Sequence, residues 1–163
     1  MPARAVVVLV FVIGLLAAAA DARADINVTG FVGTTTTPGS RGAAGLAGGV
    51  GILIVAFEFE YCAVSEDTQD GSPSLKTAMF NGMVQTPFVI KRLQFYGTLG
   101  AGPYHESLGD YGHTHYGIDY GFGAKISIAG PLRARVDYRF FDLRGSARVP
   151  NPQRLYAGLM LSF

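Results

Sequence analysis

From residue 25 to the C-terminus, apolar and polar positions alternate with a period of two. The clearest segment is 132–140, where an apolar row alternates with a charged row: Leu132, Ala134, Val136, Tyr138 and Phe140 against Arg133, Arg135, Asp137 and Arg139. Successive side chains of a β-strand point to opposite faces, so this pattern predicts a strand with one apolar face. The same alternation occurs in four other segments, 57–62, 93–101, 116–128 and 155–163.

Three weaker segments, at about 26–36, 43–54 and 75–86, bring the number of predicted strands to eight, the third being interrupted by the polar Asn81. The predicted connections alternate in length: short turns at 54–56, 86–89 and 130–131, and longer polar loops at 37–42, 65–74, 106–114 and 145–152. An even strand number with short turns on one side and long loops on the other is typical of a membrane barrel. The pattern predicts an all-β fold, an eight-stranded antiparallel transmembrane β-barrel.

The polar rows predict which face is inside. They carry four acidic and four basic residues, interleaved with glycines: Glu58, Glu60, Asp119 and Asp137 against Lys125, Arg133, Arg135 and Arg139. An eight-stranded barrel has an interior just wide enough for side chains to fill, and charges removed from water must be paired. We therefore predict a closed lumen that contains this charge network, with the apolar rows facing lipid. A gated ion pathway is the alternative.

Residues 1–24 have the pattern of a secretory signal peptide. Arg4 precedes an uncharged apolar run at 5–20, and Ala22-Arg23-Ala24 forms a small-x-small cleavage site. The apolar run is shorter than the ~20 residues that a spanning helix needs. Cleavage before Asp25 predicts a mature barrel domain of residues 25–163.

The composition narrows the functional classes. Charged residues make up 15% of the chain, against about 25% in ordinary globular proteins, and the 22 glycines are about twice the usual share. The 13 basic and 12 acidic residues nearly cancel, so we predict no nucleic-acid partner. The single cysteine, Cys62, lies in a predicted inward row and excludes both a disulfide scaffold and a cysteine-based zinc site. No cofactor is predicted.

The last strand carries a resemblance to a known family. Segment 154–163 resembles the C-terminal signal that the barrel assembly machinery reads in outer-membrane barrels, with its alternate positions filled by Leu155, Ala157, Leu159, Leu161 and Phe163. The whole of 25–163 resembles the small OmpA-like, porin-family outer-membrane β-barrel proteins, in particular at 49–51, 57–61 and 96–102. This resemblance implies export to a bacterial outer membrane, with periplasmic chaperones and the assembly machinery as partners during biogenesis. Function diverges within such a fold.

Two candidate sites lie near the third long loop. His113 and His115 would project to one side of a strand near His105, which is one way to build a transition-metal site. The segment His-Glu-Ser at 105–107, together with Asp119, has the spacing found in barrel lipid A deacylases. A serine nucleophile needs its base and orienting acid on one side of the wall, whereas parity places 105 and 107 outward and Asp119 inward. We therefore predict no enzyme, with a lipid A hydrolase as an alternative.

Two predicted loops differ in charge. The loop at 65–74 contains Glu66, Asp67 and Asp70, and the region 144–154 contains Arg144, Arg148 and Arg154. Arginine binds phosphate at two points, so the basic region is a candidate contact for lipopolysaccharide and outer-membrane lipid. We expect a non-enzymatic barrel that supports the envelope or interacts through its external loops. A small passive pore is the first alternative.

Overall fold

The computed structural model describes residues 25–163 except 38, 68–70, 88, 91 and 110, so the predicted signal peptide lies outside the described residues. The chain forms eight strands: β1 (Asp25–Thr37), β2 (Gly42–Ile52), β3 (Val55–Val64), β4 (Ser74–Gln85), β5 (Leu93–Leu108), β6 (Tyr111–Ala129), β7 (Leu132–Leu143) and β8 (Gln153–Ser162). Each strand pairs antiparallel with the next, and β8 pairs with β1, which closes the barrel. The predicted eight-stranded antiparallel barrel is confirmed. In the described part of the chain, no helix is long and apolar enough to cross a membrane.

The connections differ from the prediction in two places. The predicted loop at 106–114 is wrong, because β5 continues to Leu108 and β6 begins at Tyr111, so that only residues 109 and 110 join them. Backbone pairing continues here although the side chains become polar. A strand that extends beyond lipid no longer needs an apolar row. The predicted interruption at Asn81 is also wrong: β4 is continuous, and Asn81 lies fully buried in its inward row.

The outer wall is apolar around the whole barrel. In β7, Val136 is 43% exposed, whereas its neighbours Arg135 and Asp137 are buried inside, so the two rows of this strand have the predicted sense. Most large apolar side chains of the outer wall are exposed, among them Val32 at 68%, Leu99 at 63% and Phe122 at 60%. An exposed apolar surface of this extent is typical of a protein surface that contacts membrane hydrocarbon.

The lumen holds apolar side chains as well as charged ones. A larger apolar cluster, which includes Met79, Tyr104 and Leu143, lies toward the end where the long loops join the strands. A smaller cluster at the short-turn end consists of Ala56, Met83 and Tyr96. Charged side chains described below bond to a tyrosine of each cluster, Tyr96 in the smaller and Tyr156 in the larger, so the core of this protein is the inside of the barrel.

Candidate functional site: the lumen network and the outer mouth

Arg135 lies near the centre of the lumen and binds two carboxylates. Its terminal nitrogens donate to both oxygens of Glu58 on β3, at 3.0 Å for Nη2 to Oε1, and its Nε donates to Asp137 Oδ2 at 2.7 Å. The planar guanidinium suits this two-point binding. All three side chains are at most 2% exposed, so each charge is neutralised by a partner within the barrel rather than by water.

Arg139 extends the same network toward the long-loop end. Its Nη1 contacts Asp119 Oδ2 on β6 at 2.6 Å, and its Nη2 contacts Glu60 Oε2 on β3 at 3.2 Å. It also lies within ion-pair distance of Glu58 and Asp137. We call the connected set the lumen network: Glu58, Glu60, Asp119, Arg135, Asp137 and Arg139. These contacts connect three strands, β3, β6 and β7, across the interior.

Two tyrosines complete the network, and the sequence reasoning did not assign them to it. The Tyr96 hydroxyl donates to Asp137 and accepts from Arg135 Nε at 2.7 Å, and the Tyr156 hydroxyl donates to Glu60 Oε2 at 2.6 Å. A glycine makes room for Tyr96, because a Cβ at Gly123 would lie 2.4 Å from its hydroxyl oxygen. The signal that could have found these tyrosines is their inward parity combined with glycines on the neighbouring strand.

Arg154 lies in the lumen, which corrects the prediction that it belongs to an outer basic patch. It is fully buried, donates from Nη2 to Thr77 Oγ1 at 2.9 Å, and stacks over the Phe141 ring with its guanidinium carbon 3.8 Å from the ring centroid. The physical reason is strand parity: β8 already includes residue 154, and because Leu155 faces outward, Arg154 must face inward.

Two of the eight predicted residues lie at the short-turn end, apart from the lumen network. Arg133 is partly exposed and pairs with Asp25 at 3.2 Å. Lys125 is buried, and its Nζ donates to Gln85 Oε1 at 3.0 Å. Among the described residues the buried charges number five of each sign: Arg41, Lys125, Arg135, Arg139 and Arg154 against Glu58, Glu60, Glu106, Asp119 and Asp137. The buried acidic and basic residues are therefore equal in number, but the set differs from the predicted one: Arg133 is not in it, and Arg41, Arg154 and Glu106 are.

At the opposite end, three inward side chains hold the loops over the outer mouth of the barrel. Arg41 donates to the carbonyl oxygens of Pro73 and Ser65 in the β3–β4 connection. In the β7–β8 connection, the carbonyl oxygen of Arg144 accepts from the Tyr104 hydroxyl at 2.6 Å, and the backbone nitrogen of Arg148 donates to the Glu106 carboxylate at 3.1 Å. These contacts tie two loops down onto the lumen.

Burial also changes the electrostatics of Arg41. Removal from water lowers the pKa of its guanidinium, while the carboxylates of Asp67 and Glu106 act in the opposite direction. The positive charge that Arg41 presents to its two carbonyl acceptors is therefore stabilised by the nearby carboxylates of Asp67 and Glu106.

The histidines and the hydrolase candidate do not assemble into sites. The rings of His113 and His115 lie 4.5 Å apart on the inward row, whereas His105 lies on the outward row and bonds to Thr114. In the described part of the chain, no three His, Cys, Asp or Glu side chains are placed to hold a metal ion. Asp119 pairs in register with Gly100, five residues from position 105, or about 17 Å along the strand. Asp119 is thus separated from His105 and Ser107 by the wall and by distance.

The fold is similar to that of small β-barrels in solved structures of outer-membrane proteins. No protein-family model and no curated protein matches the chain. Among solved structures, the N-terminal β-barrel domain of Pseudomonas aeruginosa OprF matches with a TM-score of 0.66 and 12% identity, over 87% of this chain and 99% of that one. Neisserial surface protein A matches with a TM-score of 0.61 and 15% identity, over 86% and 96%.

Ail, the attachment invasion locus protein of Yersinia pestis, has the same fold. Its TM-score is 0.57 at 12% identity, over 86% of this chain and 98% of Ail. Ail has also been crystallised in complex with the heparin analogue sucrose octasulfate, and that structure matches with a TM-score of 0.55. At these identities the likeness establishes the fold of this chain, a closed eight-stranded antiparallel β-barrel.

Proposed function

We propose that this chain is an integral outer-membrane protein with a closed lumen, which acts without catalysis and through its external loops. The observation that carries the proposal is the interior itself. Every member of the lumen network is at most 2% exposed, and each charge is bound by a partner on another strand or on the same strand. A conducting pathway requires water beside the charges, and this packing leaves none of them accessible.

The energetics favour a permanent plug over a gate. Removing one partner from a buried ion pair is strongly destabilising, since the other charge is left without compensation. Opening the lumen would require several such pairs to separate together, along with the contacts of the two loops at the outer mouth. The absence of an assembled triad around Asp119 supports a non-enzymatic role for the described residues.

A closed lumen predicts that the protein does not conduct ions across a lipid bilayer. Purified protein inserted into planar lipid bilayers is expected to give no steady single-channel openings, because the lumen network fills the only path through the described part of the barrel. A large-lumen porin inserted in parallel verifies that openings are detected, and protease protection verifies insertion. Reproducible steady conductance from the inserted barrel would favour the small passive pore instead.

The membrane assignment predicts heat-dependent mobility on a gel. Protein kept at room temperature in dodecyl sulfate is expected to migrate differently from boiled protein, since a closed strand ladder leaves no unpaired edge for detergent to open. The control is urea-denatured protein, which should match the boiled sample before and after heating. Equal mobility of all samples would count against a membrane barrel.

The external contacts follow from the loops. Arg144 is exposed and Arg148 lies in the same connection, so these two residues remain candidates for lipopolysaccharide phosphates, whereas Arg154 does not. The acidic residue Asp70 lies outside the described residues. A polyanion ligand of the kind bound by Ail is one class of surface partner that such a rim could meet.

Biogenesis provides the remaining partners that we propose. Alternate residues of β8 face outward on the strand that closes the barrel against β1, and the exposed Phe163 directly after it continues their apolar row: Leu155, Ala157, Leu159, Leu161 and Phe163. This row supports recognition by the barrel assembly machinery, with periplasmic chaperones protecting the same apolar surface before insertion.

A further inference from the structure

The outward rows of the eight strands contain two charged residues, Lys76 on β4 and Asp142 on β7. Asp142 is compensated, because Arg144 Nη2 lies 3.0 Å from its Oδ2. Among the described residues, no carboxylate forms an ion pair with Lys76, which is exposed. One cation on the lipid-facing wall therefore lacks a protein partner within the part of the chain that the structure describes.

Lys76 lies at the height where lipid headgroups are expected. Below it, the outward row of β4 is apolar or small down to Val84, and polar Gln85 ends the strand. Nine residues separate positions 76 and 85, which corresponds to about 22–25 Å along the membrane normal at the usual rise and tilt of barrel strands. This distance matches the height of the apolar band of outer-membrane barrels, so the ammonium group lies at its outer edge.

The residues beside Lys76 are hydrogen-bonding groups. His105 on β5 lies directly opposite Lys76 in register, and Thr114 on β6 lies opposite His105. The His105 Nδ1 and Thr114 Oγ1 are 2.8 Å apart, so this bond occupies Nδ1 and leaves Nε2 as the ring nitrogen available to a ligand. One row further out, Ser74 and Ser107 are also opposite each other, with their hydroxyl oxygens 2.7 Å apart.

The geometry points to a binding site for the phosphate of an outer-leaflet glycolipid on the outer wall of β4, β5 and β6. We call it the Lys76 patch: Lys76, His105, Thr114, Ser74 and Ser107. Opposite residues on neighbouring strands have Cβ atoms about 4.5–5.5 Å apart, so the ammonium and imidazole groups can converge on one phosphate. Lysine binds phosphate as a point charge, and the hydroxyls supply further donors.

A lipid phosphate fits this site better than a free anion because of what lies below it. On the membrane side of the patch, the outward residue next to Lys76 on β4 is Ala78, which is small and leaves space for an acyl chain. Phe80, which is 60% exposed, and the small Ala101 opposite it follow further along the wall. A phosphorylated glycolipid can place its charge on Lys76 and its chains along this wall. Free phosphate would gain only the polar contacts. The inference rests on the proposed function, because it requires the barrel to stand in a membrane.

Native mass spectrometry of the folded barrel in detergent micelles tests the site. Micelles are titrated with diphosphorylated lipid A, with the same lipid after removal of its phosphates, and with inorganic phosphate alone. Wild-type protein is expected to retain diphosphorylated lipid A, and Lys76→Gln is expected to raise its apparent Kd about tenfold, the scale of a charge-assisted contact. Loss of one hydrogen bond in His105→Ala is expected to raise the apparent Kd about threefold.

Two variants serve as controls. Lys76→Arg keeps the charge and should bind like wild type. Arg92→Gln removes one positive charge from an exposed residue in the β4–β5 turn, at the opposite end of the barrel, and should change the Kd less than about twofold. Equal binding by wild type and Lys76→Gln, or equal binding of the dephosphorylated lipid, would overturn the inference. Displacement of lipid A by inorganic phosphate at matched concentration would also overturn it.

The same preparations separate this inference from the proposed function. Each variant is first refolded into lipid vesicles and assayed for heat-dependent gel mobility. Failure of the wild type to fold there overturns the proposed membrane role. If the barrel folds and is heat-modifiable but binds lipid A equally well with and without Lys76, only the inferred binding site is overturned.

Discussion

Replacing Arg139 with methionine is expected to lower the free energy of unfolding by about 3–5 kcal/mol, the usual cost of removing one partner from a buried ion pair. Arg139 contacts Asp119 at 2.6 Å and Glu60 at 3.2 Å, and both carboxylates are fully or almost fully buried. Arg135 still neutralises Glu58 and Asp137 in the variant. Asp119 would lose its ion-pair partner, so most of the cost should arise there.

The measurement is urea unfolding in lipid vesicles, followed by circular dichroism and by gel mobility, because the chain has no tryptophan to report by fluorescence. Arg144→Met is the matched control. It removes an arginine from an ion pair of similar length, 3.0 Å, in which both side chains are exposed, and exposed pairs contribute at most about 1 kcal/mol. Equal effects of the two substitutions would mean that the lumen is hydrated and that the plug is not closed.

Val136→Arg is expected to destabilise the barrel by about 2–4 kcal/mol, the cost of a cationic side chain at the middle of the lipid-facing wall. Val136 lies in the middle of β7, is 43% exposed, and pairs in register with Ala124 and Ala157, both of them apolar. Hydrocarbon provides no partner for a guanidinium at this depth, and the side chain can reach water only by distorting toward an interface.

Val136→Leu is the control, because it changes the side-chain size while keeping the wall apolar, and it should be nearly neutral. The comparison is made from folding yields and urea midpoints in vesicles of defined thickness. In thinner bilayers the arginine lies nearer to an interface, so its cost should decrease. An arginine variant as stable as the leucine variant in every bilayer would mean that this row does not face lipid.

Strand parity allowed much of the site to be read from the sequence. Once the outward residue of a strand is known, its neighbours must face inward, which places Arg135, Asp137 and Arg139 in the lumen. The same rule places Arg154 there, because β8 begins at Gln153, whereas the predicted basic region at 144–154 treated residue 154 as part of the outer rim. Arg154 was therefore misplaced because the alternation of faces applies only within a strand, and the start of β8 was predicted too late.

The bonding partners of the other members could not be read from local pattern. Tyr96 and Tyr156 join the network because they bond to carboxylates on distant strands: Asp137 is 41 positions from Tyr96, and Glu60 is 96 positions from Tyr156. The contacts of Arg41 and Glu106 could not be predicted for the same reason, because their partners are backbone groups of loops that fold back over the outer mouth. The Lys76 patch likewise exists only through register, which aligns residues of β4, β5 and β6.

The sequence by itself determined the number of strands, the sense of their faces and the near balance of charge, because a period of two acts residue by residue along one strand. Only the tertiary structure decided which charges pair, that the β7–β8 loop is bound over the lumen, and that Arg133 lies apart from the network. The physical reason is that pairing depends on register and closure. These bring together side chains from strands far apart in the chain, and no periodicity within a strand carries that information.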